Sequence, residues 1–389
     1  MSSVGTIPQK IALVGASGRA AAYSAKQAGF EVCVADYFSD QDTQSIASVQ
    51  TISSYQDQLI PWLKQTQPSG WIYVGGIENY PDLIDQADKI TPLYGNSSIV
   101  LNKVRDPFYL QALLNDHSLR FPETLRNAKS TMRDAGWLGK KQDSAGGLGV
   151  IDYENIPLDQ HGDYYFQQRI DGDLLSASFL AADDQVVLLG ISRQLVGDAW
   201  NTPLPYQYAG SIHAGKLLEE LSRELNAIAQ VLTQATGIQG LFGIDFIVQD
   251  GRCVVLEINP RYTASMELIE AARQSSLIGA HASVFTNSGI NGLGSIKDEN
   301  HRGKLFLFAQ QDFTFEVQLY EQLKQAVCEN SSELASLPTM ADIPQVGTPI
   351  NQGDPIFTIF SEASDEAEVE YLLKIKAKKC QLLINEYSS

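Results

Sequence analysis

The segment 243–261, which reads GIDFIVQDGRCVVLEINPR, contains the side chains best suited to hold a cation. Its alternating apolar and polar residues predict two antiparallel strands joined by a tight turn. A three-residue loop at 250–252, with a glycine at its centre, would place Asp245 directly opposite Glu257. Asn259 lies two residues further along the second strand and therefore shares their face of the hairpin.

This arrangement predicts a metal site, because two carboxylates crowded on one face favour a cation between them. An all-oxygen set suits Mg²⁺ held between protein and phosphate, with Mn²⁺ as an alternative. Arg261 follows the Asn259–Pro260 turn, where its guanidinium can bind a carboxylate or phosphoryl group through two hydrogen bonds. The competing interpretation is an ordinary half-exposed hairpin.

The opposite face of the hairpin is apolar. The residues that we expect to face a core are Ile244, Phe246, Val248, Val254, Leu256 and Ile258.

A glycine-rich turn upstream offers a site for an anion. The segment 144–149 reads SAGGLG, and Gly146, Gly147 and Gly149 allow backbone N–H groups to surround phosphate oxygens. A flexible loop without a ligand is the alternative for this segment taken alone.

Near the N-terminus, Gly15 and Gly18 follow a short apolar run and precede an alanine-rich helix. A helix N-terminus can hold an anion, and Arg19 would strengthen a site for a substrate carboxylate or phosphate. Asp36, at the end of the next strand, would hold a ribose in an NAD-dependent dehydrogenase. The complete G-x-G-x-x-G fingerprint is absent, so the dehydrogenase is the least favoured alternative.

The elements that must position these groups alternate between strands and helices, which predicts an α/β protein. Residues 1–100 read as a small doubly wound α/β domain, and domain boundaries fall near residues 100 and 300. The clearest predicted elements are strands at 11–14, 30–35, 71–74, 164–170, 174–181 and 186–191, and helices at 19–28, 106–117, 215–235 and 364–387.

Composition restricts the partners and the compartment. The formal net charge is −18, and a surface this acidic repels nucleic acid and anionic membranes. No apolar run approaches the ~20 residues that span a bilayer, and we expect no signal peptide. Four cysteines without C-x-x-C spacing argue against a zinc site and fit a cytoplasmic protein. A homodimer is left open.

The pattern Gly-x-Asp-Phe followed by Glu-x-Asn-Pro-Arg resembles the ATP-grasp superfamily, which includes biotin carboxylase, D-alanine–D-alanine ligase and carbamoyl phosphate synthase. The resemblance implies that Asp245, Glu257 and Asn259 bind Mg²⁺ and thereby ATP. It also implies that Arg261 stabilises the reacting intermediate. Glu267 matches a family position in the wall of the substrate site.

Other landmarks of the superfamily occur in the expected order. Lys140 matches the lysine that contacts phosphate, although Lys141 replaces the usual proline and leaves the choice between the two lysines open. Ser144, Gly146 and Gly147 match the lid loop that covers ATP.

Two further matches concern adenine and phosphate. Gln168 stands where the family has a glutamate that binds adenine, and Ile170 follows in the same linker. A neutral amide can still accept a hydrogen bond from the adenine amino group. Arg105 lies 17 residues before Pro122 and is the candidate for the first phosphate-binding cation, with Lys103 as the alternative.

The resemblance covers roughly residues 95–275 and implies three parts. These are a Rossmann-like pre-ATP-grasp domain at 1–100, a two-lobed ATP-grasp domain at 101–302 with its lid at about 125–180, and a small β-rich C-terminal domain at 303–389. The remaining motifs are similar to a branch of biotin-carboxylase-like predicted carboligases. A role in methanopterin-type or methylofuran-type C1-cofactor biosynthesis follows by analogy alone.

The implied activity joins a small carboxylate to an amine through an acylphosphate, with Lys140 and Arg261 as catalytic residues. A non-catalytic ATP-binding protein and an ATP-dependent carboxylase are the alternatives. Position alone suggests four further substrate contacts, namely Arg193, Trp200, Tyr208 and Ser211.

Overall fold

The computed structural model of the chain describes residues 9–128, 132, 136–183, 185–214, 219–286, 288–296, 300–328 and 337–387. Its mixture of parallel strands, antiparallel strands and helices confirms the predicted α/β class. None of the described helices combines the length and apolarity needed to cross a membrane.

The N-terminal part is a parallel four-stranded sheet with helices packed on both faces. Its elements are β1 (Lys10–Val14), α1 (Arg19–Gln27), β2 (Glu31–Asp36), α2 (Gln41–Ile46), β3 (Ser48–Thr51), α3 (Tyr55–Thr66), β4 (Gly70–Tyr73), α4 (Pro81–Asp88), α5 (Ser98–Val104) and α6 (Pro107–Asp116). The strand order is β3-β2-β1-β4. Leu13 and Val34 are buried towards one face and Ala12 and Trp71 towards the other, as in a doubly wound unit.

A small antiparallel sheet follows. Its strands are β5 (Thr124–Leu125), β6 (Trp137–Lys140), β7 (Val150–Asp152) and β8 (Tyr165–Gln168), in the order β5-β8-β6-β7. Phe166, Trp137 and Ile156 form its buried centre. The next strand, β9 (Leu174–Ala182), belongs to a different sheet, so this unit ends before residue 174 and not near 180.

The largest sheet has eight strands in the order β13-β12-β9-β10-β11-β14-β18-β16. The elements after β9 are β10 (Gln185–Val196), β11 (Tyr208–Ala214), α7 (Glu219–Thr236), β12 (Gly240–Gln249), β13 (Arg252–Asn259), α8 (Met266–Arg273), α9 (Leu277–Phe285), β14 (His301–Phe308), β15 (Phe313–Phe315), α10 (Val317–Cys328), β16 (Met340–Ala341), β17 (Thr348–Ile350), β18 (Pro355–Ala363) and α11 (Glu366–Tyr387). Strands β15 and β17 form a separate pair.

The boundary predicted between residues 302 and 303 falls inside β14. This strand pairs with β11 on one side and β18 on the other, so the sheet runs without a break into the C-terminal segment. The prediction missed this because pairing between strands about 90 residues apart leaves no local signal. Helix α7 buries Leu225, Ile228 and Leu232 as its apolar periodicity predicted, while its expected first residues, 215–218, lie outside the described residues.

Candidate active site

The hairpin of β12 and β13 turns more tightly than predicted. Gln249 pairs with Arg252, so the loop contains two residues, Asp250 and Gly251, and not three. Both have positive φ, 53° and 72°, which is the geometry of a type I′ turn. The predicted three-residue loop is therefore wrong, since an Asp-Gly pair already satisfies the two-residue turn.

A β-bulge nevertheless restores the predicted pairing. Phe246 pairs with Val255 whereas Asp245 pairs with Glu257, so Leu256 is an extra residue between them. The bulge shifts the alternation of β13 by one residue. Asp245 and Glu257 thus lie opposite each other, as predicted, but for a different reason.

The same bulge corrects part of the predicted core. Cys253 and Val255 pack in the core with Phe246. Val254 is buried as predicted but lies outside that cluster, and Leu256 is only half-buried. Leu256 instead lines a polar cavity beside Glu257. A bulge leaves no periodicity of its own in a run of apolar residues, which explains why the sequence did not reveal it.

The two carboxylates are close enough to interact strongly. Asn259 Nδ2 donates to Asp245 Oδ2 at 3.1 Å and approaches Glu257 Oε1 at 3.5 Å. Burial and, next, the charge of Glu257 raise the pKa of Asp245. A cation between these oxygens would relieve the repulsion of the two carboxylates.

The donor set fits Mg²⁺. No cluster of three or more His, Cys, Asp or Glu side chains suited to a metal occurs among the described residues. Two carboxylates suit an ion that completes its shell with water and substrate phosphates. Asn259 directs its amide nitrogen at both carboxylates and its oxygen at Arg261 Nη2, 3.2 Å away, so the amide would have to turn for the oxygen to reach a metal between the carboxylates.

Arg261 is held by a residue that the motif analysis did not assign to the site. Its Nε donates to Glu78 Oε1 at 2.6 Å, and Glu78 is only 4% exposed. The other Glu78 oxygen accepts from Gly76 N–H at 2.6 Å. Glu78 is 183 residues from Arg261, and only the unusual Gly75-Gly76-x-Glu78-Asn79 run could have drawn attention to it.

Glu78, Glu257 and Asn259 line a first cavity, between the small sheet and the hairpin. It brings together predicted residues from four segments, namely Arg105, Lys140, Lys141, Ser144, Gly146, Gly147, Glu257 and Asn259. Burial lowers the pKa of Lys140, while the charges of Glu257 and Asp245 oppose this change. Arg105 Nη1 donates to the Glu78 carbonyl at 2.6 Å. Lys103 instead donates to the Ala235 carbonyl, which favours Arg105 over Lys103.

The glycine-rich loop forms one wall of the first cavity. Gly146 and Gly147 have φ of +62° and +79°, and the Tyr208 N–H donates to the Gly146 carbonyl at 3.0 Å. A Cβ on Gly147 would lie 1.8 Å from the Tyr206 carbonyl oxygen. Ser144 Oγ donates to the Lys141 carbonyl at 2.9 Å, which closes the turn.

The predicted adenine linker does not line this cavity. Gln168 is exposed at the end of β8, where its N–H donates to the Glu123 carbonyl. Ile170 is half-buried and also lies outside the lining. The structure therefore leaves the adenine contacts of both residues as predictions.

A larger, second cavity of about 970 Å³ lies between the N-terminal sheet, the glycine-rich loop and the C-terminal strands. Arg19 and Tyr208, two of the predicted substrate contacts, line it. Arg19 is already paired, however, with Glu267 and with Asp342, whose Oδ1 lies 2.8 Å from Arg19 Nε. Lys304 Nζ lies 2.8 Å from Glu267 Oε2.

Three other predicted residues lie elsewhere or are occupied. Arg193 is outside both cavities, where it pairs with Glu366 and Glu370 of α11. Ser211 is fully buried against the Tyr208 hydroxyl at 2.8 Å. Trp200 packs in the C-terminal core.

Asp36 is likewise occupied. Its carboxylate accepts from the Gly18 and Ser39 N–H groups and the residue is fully buried, so it shapes the first turn and is not accessible to a ribose. The dehydrogenase alternative loses its main support.

Comparisons with known proteins agree with this geometry. Residues 104–265 match the family model described as the ATP-grasp domain. A carbamoyl phosphate synthase large chain from Hyperthermus butylicus is 31% identical over 117 residues, which are 25% of this chain and 10% of that protein. The formate-dependent phosphoribosylglycinamide formyltransferase of a Synechococcus species is 21% identical over 275 residues, 66% of this chain and 70% of that protein.

Among solved structures, carboxyaminoimidazole ribonucleotide synthase from Aspergillus clavatus, complexed with ATP, superposes with a TM-score of 0.72. The two are 14% identical over 97% of this chain and 99% of that one, a level that shows the shared fold. Residues 104–265 are thus similar to the ATP-grasp domain, and the chain as a whole shares the fold of this synthase.

Proposed function

We propose that the chain is an ATP- and Mg-dependent ligase that joins a small carboxylate to an amine through an acylphosphate. The observation that carries this proposal is the pairing of Asp245 with Glu257 beside Lys140 and the glycine-rich loop. Two carboxylates close to a lysine and a glycine-rich loop suit a metal–polyphosphate complex.

The reaction has two steps. A carboxylate oxygen of the first substrate attacks the γ-phosphorus of ATP, and the bond from that phosphorus to the ADP oxygen breaks. The amine nitrogen of the second substrate then attacks the acyl carbon. Phosphate leaves with the electrons of the carbon–oxygen bond, the nitrogen loses a proton to solvent, and an amide remains.

Each residue has a separate task in this scheme. Asp245 and Glu257 would hold Mg²⁺, which neutralises phosphate charge when bound. Lys140 and Arg105 face the first cavity and stabilise the transferring phosphoryl group and the leaving ADP. Arg261 lines the second cavity and stabilises the oxyanion at the acyl carbon.

The named relatives support this reaction class. One is a carbamoyl phosphate synthase and another uses formate, a carboxylate, to formylate a glycinamide. We expect this chain to act on small molecules as well. A cytoplasmic location, a homodimer and a role in C1-cofactor biosynthesis stay predictions.

The test is the substitution Glu257→Gln. The matched control is Glu220→Gln, at an exposed position of α7. Loss of a metal-binding carboxylate should slow ADP formation by more than about 100-fold, since a metal supplies several kcal/mol of charge stabilisation. Glu220→Gln should retain full activity. ADP release is measured with mixtures of carboxylates and amines, and undiminished turnover by Glu257→Gln contradicts the assignment.

A further inference from the structure

The second cavity has a charge pattern that restricts what it can bind. Its two deepest cations are already neutralised by carboxylates. Arg19, only 1% exposed, pairs with Glu267 and Asp342, and Lys304, 2% exposed, pairs with Glu267. A phosphate on the ligand would have to displace these buried pairs, at the cost of leaving a carboxylate unpaired.

Arg261 and Lys141 complete the basic lining of the second cavity. Arg261 is bound to Glu78. Lys141 has no ion pair among the described residues, but it lines the first cavity as well and therefore lies on the nucleotide side. The far end of the second cavity offers no cation free to bind a phosphate within the described part of the chain.

The carboxylates at that end are in excess. Glu267 and Asp342 contact the two cations Arg19 and Lys304. Three more carboxylates, Asp36, Asp40 and Asp42, lie close enough to Asp342 to repel it. Four have donors of their own: the Gly18 and Ser39 amides bind Asp36, the Asp342 and Ile343 amides bind Asp42, and Arg19 binds Glu267 and Asp342.

Asp40 is the exception. It lines the second cavity and is 5% exposed, yet its carboxylate has no hydrogen bond or ion pair within 4 Å among the described residues. A buried carboxylate without a donor is costly, so its neighbourhood favours a ligand that supplies one.

The walls near Asp40 are aromatic. Tyr37 and Phe38 precede it in the chain and line the same cavity, with the Tyr37 and Tyr55 rings 5.0 Å apart. Aromatic faces attract cations with apolar substituents. They also provide the apolar surface that a largely uncharged ligand body needs.

We propose that the molecule bound in the second cavity is a substrate with a protonated amine, which binds the Asp40 carboxylate, on an apolar or aromatic body that carries no phosphate. This inference rests on the proposed ligase function, because it assigns the cavity to one of the two substrates. It extends that function by giving the charge of the substrate and the residue that binds the charged group.

The titration behaviour of Asp40 agrees with this assignment. Burial, followed by the charges of Asp342, Asp42 and Asp36, raises the pKa of Asp40 to about 8, while Arg19 opposes the change. Without a ligand, the Asp40 carboxyl group therefore keeps its proton near pH 7. A bound ligand cation would take the place of that proton. Binding of an amine near pH 7 should release protons, as calorimetry in buffers of different ionisation enthalpy would record.

The direct test compares four ligands with one body and different head groups. They are 4-phenylbutylamine, 4-phenylbutanol, 4-phenylbutyrate and 4-phenylbutyl phosphate, titrated calorimetrically with Mg-ADP present. The amine should bind at least about tenfold more tightly than the alcohol, since a charge-assisted hydrogen bond is worth more than a neutral one. Equal or tighter binding of any other head group, or no binding of the amine, overturns the proposal.

Two variants locate the effect. Asp40→Asn should bind the amine and the alcohol with equal affinity, whereas Asp116→Asn, at an exposed position of α6, should keep the preference for the amine. A preference that survives in Asp40→Asn overturns the assignment. If that variant does not fold, as judged by circular dichroism, the head-group series on the unaltered protein decides the proposal.

Failure of this inference is distinguishable from failure of the ligase proposal. The unaltered protein is first titrated with Mg-ADP alone. Absence of nucleotide binding refutes the ligase, and the head-group series is then read without nucleotide. Nucleotide binding without a preference for the amine refutes only the charge class of the substrate.

Discussion

The two cavities treat their cations in opposite ways. In the first, Arg105 and Lys140 have no ion pair with a carboxylate within 4 Å among the described residues. In the second, Arg19 and Lys304 are saturated by carboxylates. A cation without a carboxylate partner is available to an anionic ligand, whereas a cation already paired with carboxylates leaves recognition to other groups.

The largest expected effect concerns the saturated cations. Arg19→Met should lower the free energy of unfolding by about 3–5 kcal/mol, because it leaves Glu267 and Asp342 buried with one cation fewer. Arg223→Met, at an exposed position of α7, serves as the control and should change it by less than about 0.5 kcal/mol. Urea unfolding measures both. A loss below about 1 kcal/mol for Arg19→Met would show that this cation is not structural.

The next effect concerns the free cations. Lys140→Met should weaken ATP binding about ten- to hundredfold, since a charged hydrogen bond to phosphate contributes ~1.5–3 kcal/mol. Lys141→Met should weaken it less, because Lys141 is exposed and its Nζ lies 5.3 Å from the centre of the Tyr164 ring. Calorimetric titration with Mg-ATP compares the two. The reverse order would assign the phosphate contact to Lys141.

A smaller effect concerns the glycine-rich loop in the wall of the first cavity. Two alanine substitutions there distinguish backbone strain from a steric clash. Gly146→Ala and Gly147→Ala share the ~1 kcal/mol penalty of a positive φ. Only Gly147→Ala also meets the Tyr206 carbonyl, while a Cβ on Gly146 has no atom within 4 Å. We therefore expect Mg-ADP to bind Gly147→Ala about tenfold more weakly than Gly146→Ala. Equal affinities would mean that the loop does not contact the nucleotide.

The smallest effect is a pH dependence in the second cavity. The pKa of Asp40 is raised to about 8 in the folded protein, above the ~3.9 of an unfolded chain. The stability linked to its proton is complete below pH 4 and is lost as the pH rises through 8. Asp40→Asn should therefore gain at least about 1 kcal/mol over the unaltered protein between pH 5 and 8.

Urea unfolding at several pH values measures this gain, with Asp116→Asn as the control. A difference that does not change with pH would show that Asp40 is ionised throughout that range.

The sequence predicted the first cavity far better than the second. Asp245, Glu257 and Asn259, which form or adjoin the first cavity, lie in one short motif, so local spacing was enough to bring them together. Even there, the loop length was wrong and a bulge at Leu256 compensated for it, so the correct pairing came from an incorrect register.

Glu78 and Asp40 were missed for a physical reason. Glu78 becomes significant through its hydrogen bond with Arg261, and Asp40 through its burial in a cavity whose lining includes the distant Asp342. Arg193 shows the opposite error. Its position in the sequence suggested a substrate contact, but in the structure it pairs with two carboxylates of α11, a neighbour that the sequence did not reveal. Single-sequence patterns do not encode such tertiary pairings.

The unbroken eight-stranded sheet has a consequence for synthesis of the chain. Strand β11 is complete by residue 214, but its outer neighbour β14 begins only at residue 301 and β18 at residue 355. While a ribosome extends the chain, β11 therefore presents an open edge that can pair with other nascent chains. Shortening the chain before β14 would make that transient edge permanent, so aggregation is the expected fate of such a truncation.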